Sequence, residues 1–425
     1  MLHLSLCRLC CRQPAHSKPL SDKEREMPTR FIRADILAQT AYPKPDIPNH
    51  FILLDSAAPS FSLPEDMRRQ WADALAEAPL DRTANAAENE VQAALRAALP
   101  IPENAQIVLG NGAEELVRLL AWLTAQPDAA VLALEPCSGM YRRAAELCRM
   151  AYTGIALNDD FSPNLTALFA AIEQKQPALL FLSHPNRATG TPIARADLEE
   201  IARRAEGIVV VDETCAADAE HSFIAQAGQP ENLVVLRSFD SIGLGGIRTG
   251  YAVGSPLVMN ELAKLLPPRP VNGLSLCAAR FALQHADTFR QNAEQLAAER
   301  TRVAAALAEL AETQVLDGQA HFLTVRLPDA PSAFERLKEN GILVKNLHGR
   351  HALLHNCLRI AIGTPEQNDG VVQGVQQAVA EYLARKNGGG HCPADLSQKL
   401  FYATLCYVAA LSLLSLWIGL AFGHI

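Results

Sequence analysis

The chain has 425 residues, of which 49% are hydrophobic and 20% are charged, and its net charge at pH 7 is −8. This composition indicates a globular protein of two or three domains and excludes a disordered chain. No basic stripe stands out, which argues against a nucleic-acid partner. The ten cysteines are scattered, a pattern that predicts reduced cytoplasmic thiols and no disulfide framework.

Residues 1–26 predict an extension without structure. Their apolar run is short and is interrupted by arginine and by Cys7, Cys10 and Cys11, which does not fit a signal peptide. The cysteines include a CxxC pair, but no second Cys or His pair follows at the spacing of a zinc finger. A plain tail is therefore preferred to a metal site, and no metal is predicted elsewhere. A start of translation at Met27 is the alternative to an extension.

Helical and strand periods alternate over most of the remaining chain, which predicts an α/β protein with a mainly parallel sheet. Helices are predicted at 64–78, 88–99, 113–125, 140–150, 164–174 and 196–206. The short apolar runs that predict buried strands are 130–134, 178–182, 208–211, 232–236 and 249–253. These elements fall in a predicted large domain over 27–270.

A smaller α+β unit is predicted after a long helical region that includes 280–284 and 292–310. Its strands are expected at 322–326, 342–345 and 357–361, and its helices at 333–340 and 368–385. Together, the linking helices and this small domain occupy 271–386. The glycine-rich stretch that begins 387–399 predicts a linker.

The segment 400–423 contains no charged residue. At about 1.5 Å per residue a helix of this length crosses a hydrocarbon core of roughly 30 Å. Lys399 flanks it, and Trp417 adds interfacial character. The prediction is a transmembrane tail anchor that holds a cytoplasmic domain at a membrane. A buried helix, or a fused foreign reading frame, is the alternative.

The residues 237–251, RSFDSIGLGGIRTGY, follow a strand that ends at Asp212. Together the two segments resemble the active site of the histidinol-phosphate aminotransferases, which are class I/II, fold-type-I enzymes dependent on pyridoxal 5′-phosphate (PLP). The resemblance covers residues 27–386 and implies a large, mainly parallel sheet domain, a small carboxyl-terminal α+β domain and a homodimer. Where that family has Ser-Lys, this chain has Asp240-Ser241. The family's lysine binds PLP as an imine, which the hydroxyl of Ser241 cannot do.

The resemblance assigns Asp212 as the counterpart of the carboxylate that keeps the pyridine nitrogen protonated, so that the ring accepts electrons. An aspartate that closes a strand as a cap or turn residue is the plainer interpretation, and the matching flanks favour the first. Ser238 is assigned to the same cofactor site.

The resemblance also implies a phosphate cradle at the helix start formed by Gly112, Ala113 and Glu114, together with Arg248. Amide groups at a helix start bind anions near the positive end of the helix dipole. Asp240 takes the place of the serine that donates to the phosphate. A carboxylate about 4 Å from a phosphate costs on the order of 4 kcal/mol per charge pair at a surface-like dielectric.

Four further positions depart from the family pattern. Arg187 replaces the asparagine that binds the ring hydroxyl, Cys215 replaces a tyrosine, Ser138 replaces the stacking aromatic, and Thr83 replaces a tyrosine that reaches the partner subunit. Arg359, in CLRIAIG, matches the arginine that binds the substrate carboxylate.

These departures predict a pseudoenzyme with impaired or absent transamination, because Ser241 supplies neither the imine nor the base. Nothing in the spacing of the sequence indicates that Lys264 or Lys345 reaches the site. One alternative is an active aminotransferase of histidine biosynthesis, which binds PLP noncovalently and converts an imidazole-acetol phosphate-like substrate with glutamate. A tail-anchored binding or scaffold module, with a protein partner and no cofactor, is the other.

Overall fold

The computed structural model describes residues 29–42, 47–59, 63–79, 85–216 and 221–387. The chain divides into two units between Pro48 and Asn49. The first contains a 3-10 turn, Thr29–Phe31, and the one-turn helix α1, Ala34–Leu37. The predicted extension with its CxxC pair, the position of Thr83, and the predicted linker and membrane segment beyond Asn387 lie outside the described residues. Of the helices that the structure does describe, none is long and apolar enough to span a membrane.

A seven-stranded sheet, in the order β2-β8-β7-β6-β5-β3-β4, organises the second unit. Its strands are β2 (Gln106–Gly110), β3 (Ala130–Glu135), β4 (Ala151–Ala156), β5 (Leu179–Ser183), β6 (Ile208–Asp212), β7 (Leu233–Ser238) and β8 (Gly250–Gly254). Strands β3 to β7 pair in parallel, and β8 runs antiparallel to both β7 and β2. Because Ser183 lies opposite Asp212 in this register, the carboxyl ends of β5 and β6 place polar side chains side by side.

Both faces of this sheet are buried. Along β6, Val209 and Val211 belong to one apolar cluster and Val210 belongs to the other, on the opposite face. One face packs against helices α3 (Asn85–Ala98), α6 (Leu165–Lys175), α7 (Arg195–Arg204) and α9 (Gly273–Gln284), the other against α4 (Ala113–Leu123), α5 (Gly139–Leu147) and α8 (Pro256–Ala263). The continuous apolar runs of the sequence follow from this two-sided burial.

A second sheet has five strands in the order β1-β11-β12-β10-β9. They are β1 (Ile52–Leu54), β9 (Gln314–Val315), β10 (Phe322–Arg326), β11 (Ile342–Asn346) and β12 (Cys357–Ala361). The helices of this part of the chain are α10 (Ala286–Ala308), α11 (Ala330–Glu339) and α12 (Pro365–Lys386), and α2 (Glu65–Ala76) contacts α9. Strand β1 pairs in parallel with β11, so a segment near residue 50 joins a sheet whose other strands follow residue 313.

Helix α12 begins with a capping box. The Thr364 side chain accepts from the Gln367 amide, and the Gln367 side chain accepts from the Thr364 amide. Two donors that the helix start would otherwise leave without partners are thereby satisfied. Pro365 follows the cap at the position where its missing N–H costs nothing.

Replacing this cap is expected to weaken the second sheet's supporting helix. Thr364→Ala should lower the free energy of unfolding by about 1 kcal/mol, measured by urea denaturation. Gln376→Ala, at an exposed position of the same helix, is the control and should change stability by less than about 0.5 kcal/mol. Equal losses in the two variants would contradict the capping interpretation.

Candidate active site

Asp212 is the buried anchor of the site. Only 1% of the residue is exposed, and both carboxylate oxygens accept hydrogen bonds. Oδ1 accepts from the Thr214 amide at 3.0 Å and from the Thr214 hydroxyl at 2.6 Å, and Oδ2 accepts from the Tyr141 hydroxyl at 2.5 Å. Charge-assisted bonds of this kind are what make a buried carboxylate tolerable.

Tyr141 is a site residue that sequence reasoning missed. It lies on α5, one turn after Ser138, and its ring stacks on Phe181 with centroids 4.5 Å apart. Burial, followed by the charge of Asp212, raises the pKa of Tyr141 well above its usual value, so the neutral hydroxyl donates. Ser138 itself caps α5, accepting from the Met140 amide at 3.4 Å, and has no ring to stack. The sequence does contain a sign of this role, because Tyr141 is an aromatic residue one helical turn after Ser138, the position at which the resemblance expects the stacking ring.

The predicted phosphate cradle depends on two glycines. Gly112 precedes α4 with φ +84°, and a Cβ there would lie 2.8 Å from Nη2 of Arg248. A Cβ on Gly250 would lie 2.6 Å from the Ala113 amide nitrogen. The missing side chains therefore allow Arg248 and β8 to approach the start of α4 closely.

The charges around this cradle are mostly negative. Arg248 lies 3.7 Å from a carboxylate oxygen of Glu114 and 4.0 Å from one of Asp240. The other oxygen of Asp240, Oδ1, is buried and has no hydrogen-bond partner among the residues described. Two carboxylates thus compete with an incoming phosphate for one guanidinium, which opposes the attraction of the helix start.

Ser241 lies in the 3-10 turn Phe239–Ile242 and is 5% exposed. Its hydroxyl donates to the carbonyl of Ser238 at 2.9 Å. The Ser238 hydroxyl accepts from the Asp240 amide and donates to the Thr249 carbonyl. The hydroxyl of Ser241 is therefore held by the backbone in a local turn.

Arg187 reaches into the site beside Asp212. One of its nitrogens, Nη1, lies 3.2 Å from the sulfur of Cys215 and 3.4 Å from the Thr214 hydroxyl. Cys215 is 2% exposed, and burial raises the pKa of its thiol while the charge of Arg187 opposes the rise. Arg187 thus places a positive charge in a largely buried position.

Arg359 completes this cationic side. Its Nη1 donates to the Arg187 carbonyl at 2.8 Å, and its Nη2 donates to the Asp55 carbonyl at 3.0 Å. Burial, followed by the charge of Arg187, lowers the pKa of Arg359 to about 10. Contacts therefore connect Asp212, Cys215, Arg187 and Arg359, whereas the predicted phosphate residues form a separate group around Arg248.

The residues present fit PLP in part. Asp212 is a buried carboxylate suited to a protonated ring nitrogen. The start of α4 at Gly112, together with Arg248, is suited to an anionic group. Ser241 cannot bind the cofactor covalently, and the orphan oxygen of Asp240 repels a phosphate. Two cavities of about 530 and 520 Å³ lie elsewhere and are lined by none of these residues. In the described ranges, no three His, Cys, Asp or Glu side chains gather as a metal site.

The family profile "Aminotransferase class I and II" matches residues 49–375. The chain therefore belongs to this family. It is 45% identical over 350 residues to the histidinol-phosphate aminotransferase of Neisseria meningitidis serogroup B (strain ATCC BAA-335 / MC58), covering 82% of this chain and 96% of that protein. It is 44% identical over 348 residues to the enzyme of the same name from Chromobacterium violaceum, covering 82% and 98%. The predicted relationship to the histidinol-phosphate aminotransferases is thus confirmed.

Solved structures of this group share the fold. The histidinol-phosphate aminotransferase from Clostridium acetobutylicum superposes with a TM-score of 0.70 at 17% identity, covering 78% of this chain and 99% of that one. The enzyme of the same name from Sinorhizobium meliloti, solved in complex with pyridoxal-5′-phosphate, gives 0.69 at 19% identity, covering 78% and 91%. The predicted α/β, fold-type-I architecture is confirmed.

The close approach of β8 to α4 can be tested by replacing Gly250 with alanine and comparing the result with the same replacement at Gly246. Gly250→Ala places a methyl group against the backbone of Ala113 and should lower the free energy of unfolding by about 1–3 kcal/mol. Gly246→Ala meets no atom within 4 Å and should change it by less than about 0.5 kcal/mol. Thermal or urea unfolding measures both, and an equally tolerated Gly250→Ala would rule out the close approach.

The support of Asp212 by Tyr141 can be tested with Tyr141→Phe, which keeps the stacked ring. Loss of the hydroxyl leaves a buried carboxylate with one donor fewer, and should cost about 1–3 kcal/mol of unfolding free energy. Tyr152→Phe removes a similar 2.9 Å bond to Glu135, whose side chain is 22% exposed. Water can replace that bond, so a smaller loss is expected. A loss for Tyr152→Phe as large as that for Tyr141→Phe would contradict this account.

Proposed function

We propose that this protein is a member of the histidinol-phosphate aminotransferase family that has lost lysine-dependent transamination. The resemblance assigns Ser241 to the position of the imine lysine, and one observation supports the proposal: Ser241 is buried, with its hydroxyl donating to the Ser238 carbonyl. A hydroxyl lacks the amine nitrogen needed for an imine with a carbonyl. It is also a poor base near neutral pH, whereas a positioned base contributes about 10²–10⁴-fold to the rate.

The remaining residues support binding better than catalysis. When bound, PLP supplies an electron sink to its substrate. Asp212 would hold the proton on the ring nitrogen, Arg248 would contact the phosphate, and Arg359 would bind a substrate carboxylate. Asp240 would oppose the phosphate, because its buried oxygen lacks a hydrogen-bond donor among the described residues.

A working aminotransferase with noncovalent PLP is the second candidate. The retained, fully hydrogen-bonded Asp212 favours it, because a buried carboxylate is costly where nothing uses it. Its substrate would be of the kind that the relatives' name specifies, histidinol phosphate. This candidate needs another group to move the proton that the lysine normally moves. The homodimer, the cytoplasmic location, the tail anchor and the binding-module alternative remain predictions.

The decisive experiment is a half-reaction with PLP and glutamate on the full chain, beside Ser241→Lys and the matched control Ser241→Ala. We expect the native protein and Ser241→Ala to form no pyridoxamine phosphate and no visible band of lysine-bound cofactor. Ser241→Lys should gain that band, because it restores the amine. The readouts are the absorbance spectrum and chromatography of the cofactor. Formation of pyridoxamine phosphate by the native protein would overturn the proposal in favour of the second candidate.

A further inference from the structure

Lys345, which the spacing of the sequence did not predict to be near the site, lies next to Arg359. Lys345 of β11 is directly opposite Arg359 of the antiparallel strand β12. Side chains of directly opposed residues point to the same face of a sheet, with Cβ atoms about 4.5–5.5 Å apart. The amine of Lys345 is therefore on the face of the sheet where Arg359 contacts the carbonyls of Arg187 and Asp55.

The surroundings of Lys345 disfavour its charged form. The side chain is half-buried, and within the described part of the chain its amine has no hydrogen bond and no ion pair. Burial is the largest cause that lowers its pKa, followed by the charges of Arg350 and Arg359 and, more weakly, of Arg187, while Asp55 opposes them. A lysine beside other cations and partly removed from water is the environment in which amines act as nucleophiles at neutral pH.

The same place is suited to a carboxylate. Arg359 is 9% exposed as a whole residue, and its Nε has no hydrogen-bond partner among the residues described. A buried donor without an acceptor is uncommon in folded proteins, and arginine matches the geometry of a carboxylate. A bound carboxylate would supply the acceptor and offset the repulsion between Arg359, Arg187 and Lys345.

We infer that Lys345 is a Schiff-base amine, which condenses with the carbonyl group of a 2-oxo acid whose carboxylate is bound by Arg359. The lone pair of the neutral amine attacks the carbonyl carbon. A C=N bond then replaces the C=O bond, the two amine protons leave with the oxygen as water, and no electrons are gained or lost. The carbonyl and the carboxylate of such an acid are adjacent, as the opposed positions of Lys345 and Arg359 require.

This activity goes beyond the proposed function and does not involve PLP. It is tested on the full chain without added cofactor, using 2-oxoglutarate as the probe and sodium cyanoborohydride to reduce the imine to a stable secondary amine. Intact mass counts the adducts, and peptide mapping locates them. Lys345→Arg keeps the positive charge and removes the amine. The matched control is Lys264→Arg, because Lys264 is exposed and paired with Glu261 at 2.6 Å.

We expect a single adduct on the peptide containing Lys345 in the native protein and in Lys264→Arg. Lys345→Arg should lose the adduct by about tenfold or more, since imine formation requires the amine. Succinate, which carries two carboxylates and no ketone, should lower the native yield by occupying Arg359. No adduct in the native protein, an undiminished adduct in Lys345→Arg, or labelling spread evenly over the exposed lysines would overturn the inference. The half-reaction with PLP is unaffected by any of these outcomes, so the two proposals fail separately.

Discussion

The buried carboxylate of Asp212 is the constraint that the site depends on. An unpaired charge at this depth would cost several kcal/mol, so the end of β6 must be surrounded by donors. The turn after the strand supplies Thr214, and helix α5 supplies Tyr141. The stacking of Tyr141 on Phe181 then fixes α5 against the sheet. Packing, hydrogen bonding and the position of the charge therefore depend on one another at the end of β6.

Around this anchor, charge is unevenly distributed. Arg187 places a cation beside Cys215, whereas Asp240 places a carboxylate next to Arg248. The side of the site that includes Arg359 is therefore positive, and at the predicted phosphate cradle two carboxylates face one guanidinium. This pattern limits which ligands are tolerated, because like charges in partly buried positions repel more strongly than in water.

Much of the large sheet could be predicted from the sequence, and the reason is physical. Strands β3, β5, β6, β7 and β8 are buried on both faces, so their apolar runs stand out from the helices between them. Strand β4 is an edge strand of intermediate exposure, and β1 has only three residues and pairs with β11, nearly three hundred positions later. Neither leaves a local pattern strong enough to predict.

The candidate site could be predicted only where a residue follows a motif. Asp212, Ser241 and Arg248 lie in segments whose order and spacing are the basis for predicting them. The contact of Tyr141 with Asp212 depends on the angle at which α5 packs, and the position of Lys345 depends on the register of β11 against β12. Register and packing are set by tertiary contacts, so the positions of Tyr141 and Lys345 near the site follow from the folded structure and not from the sequence pattern.

The hydrogen bonds of Arg359 to the carbonyls of Asp55 and Arg187 connect three distant parts of the chain. A guanidinium has five N–H groups, and the two carbonyls accept only two of these hydrogens. Nε and a remaining Nη hydrogen can therefore bind a carboxylate while the bonds to the segments that follow β1 and β5 stay in place. A ligand at this point would join the same network, and because it binds the folded chain it would raise the free energy of unfolding.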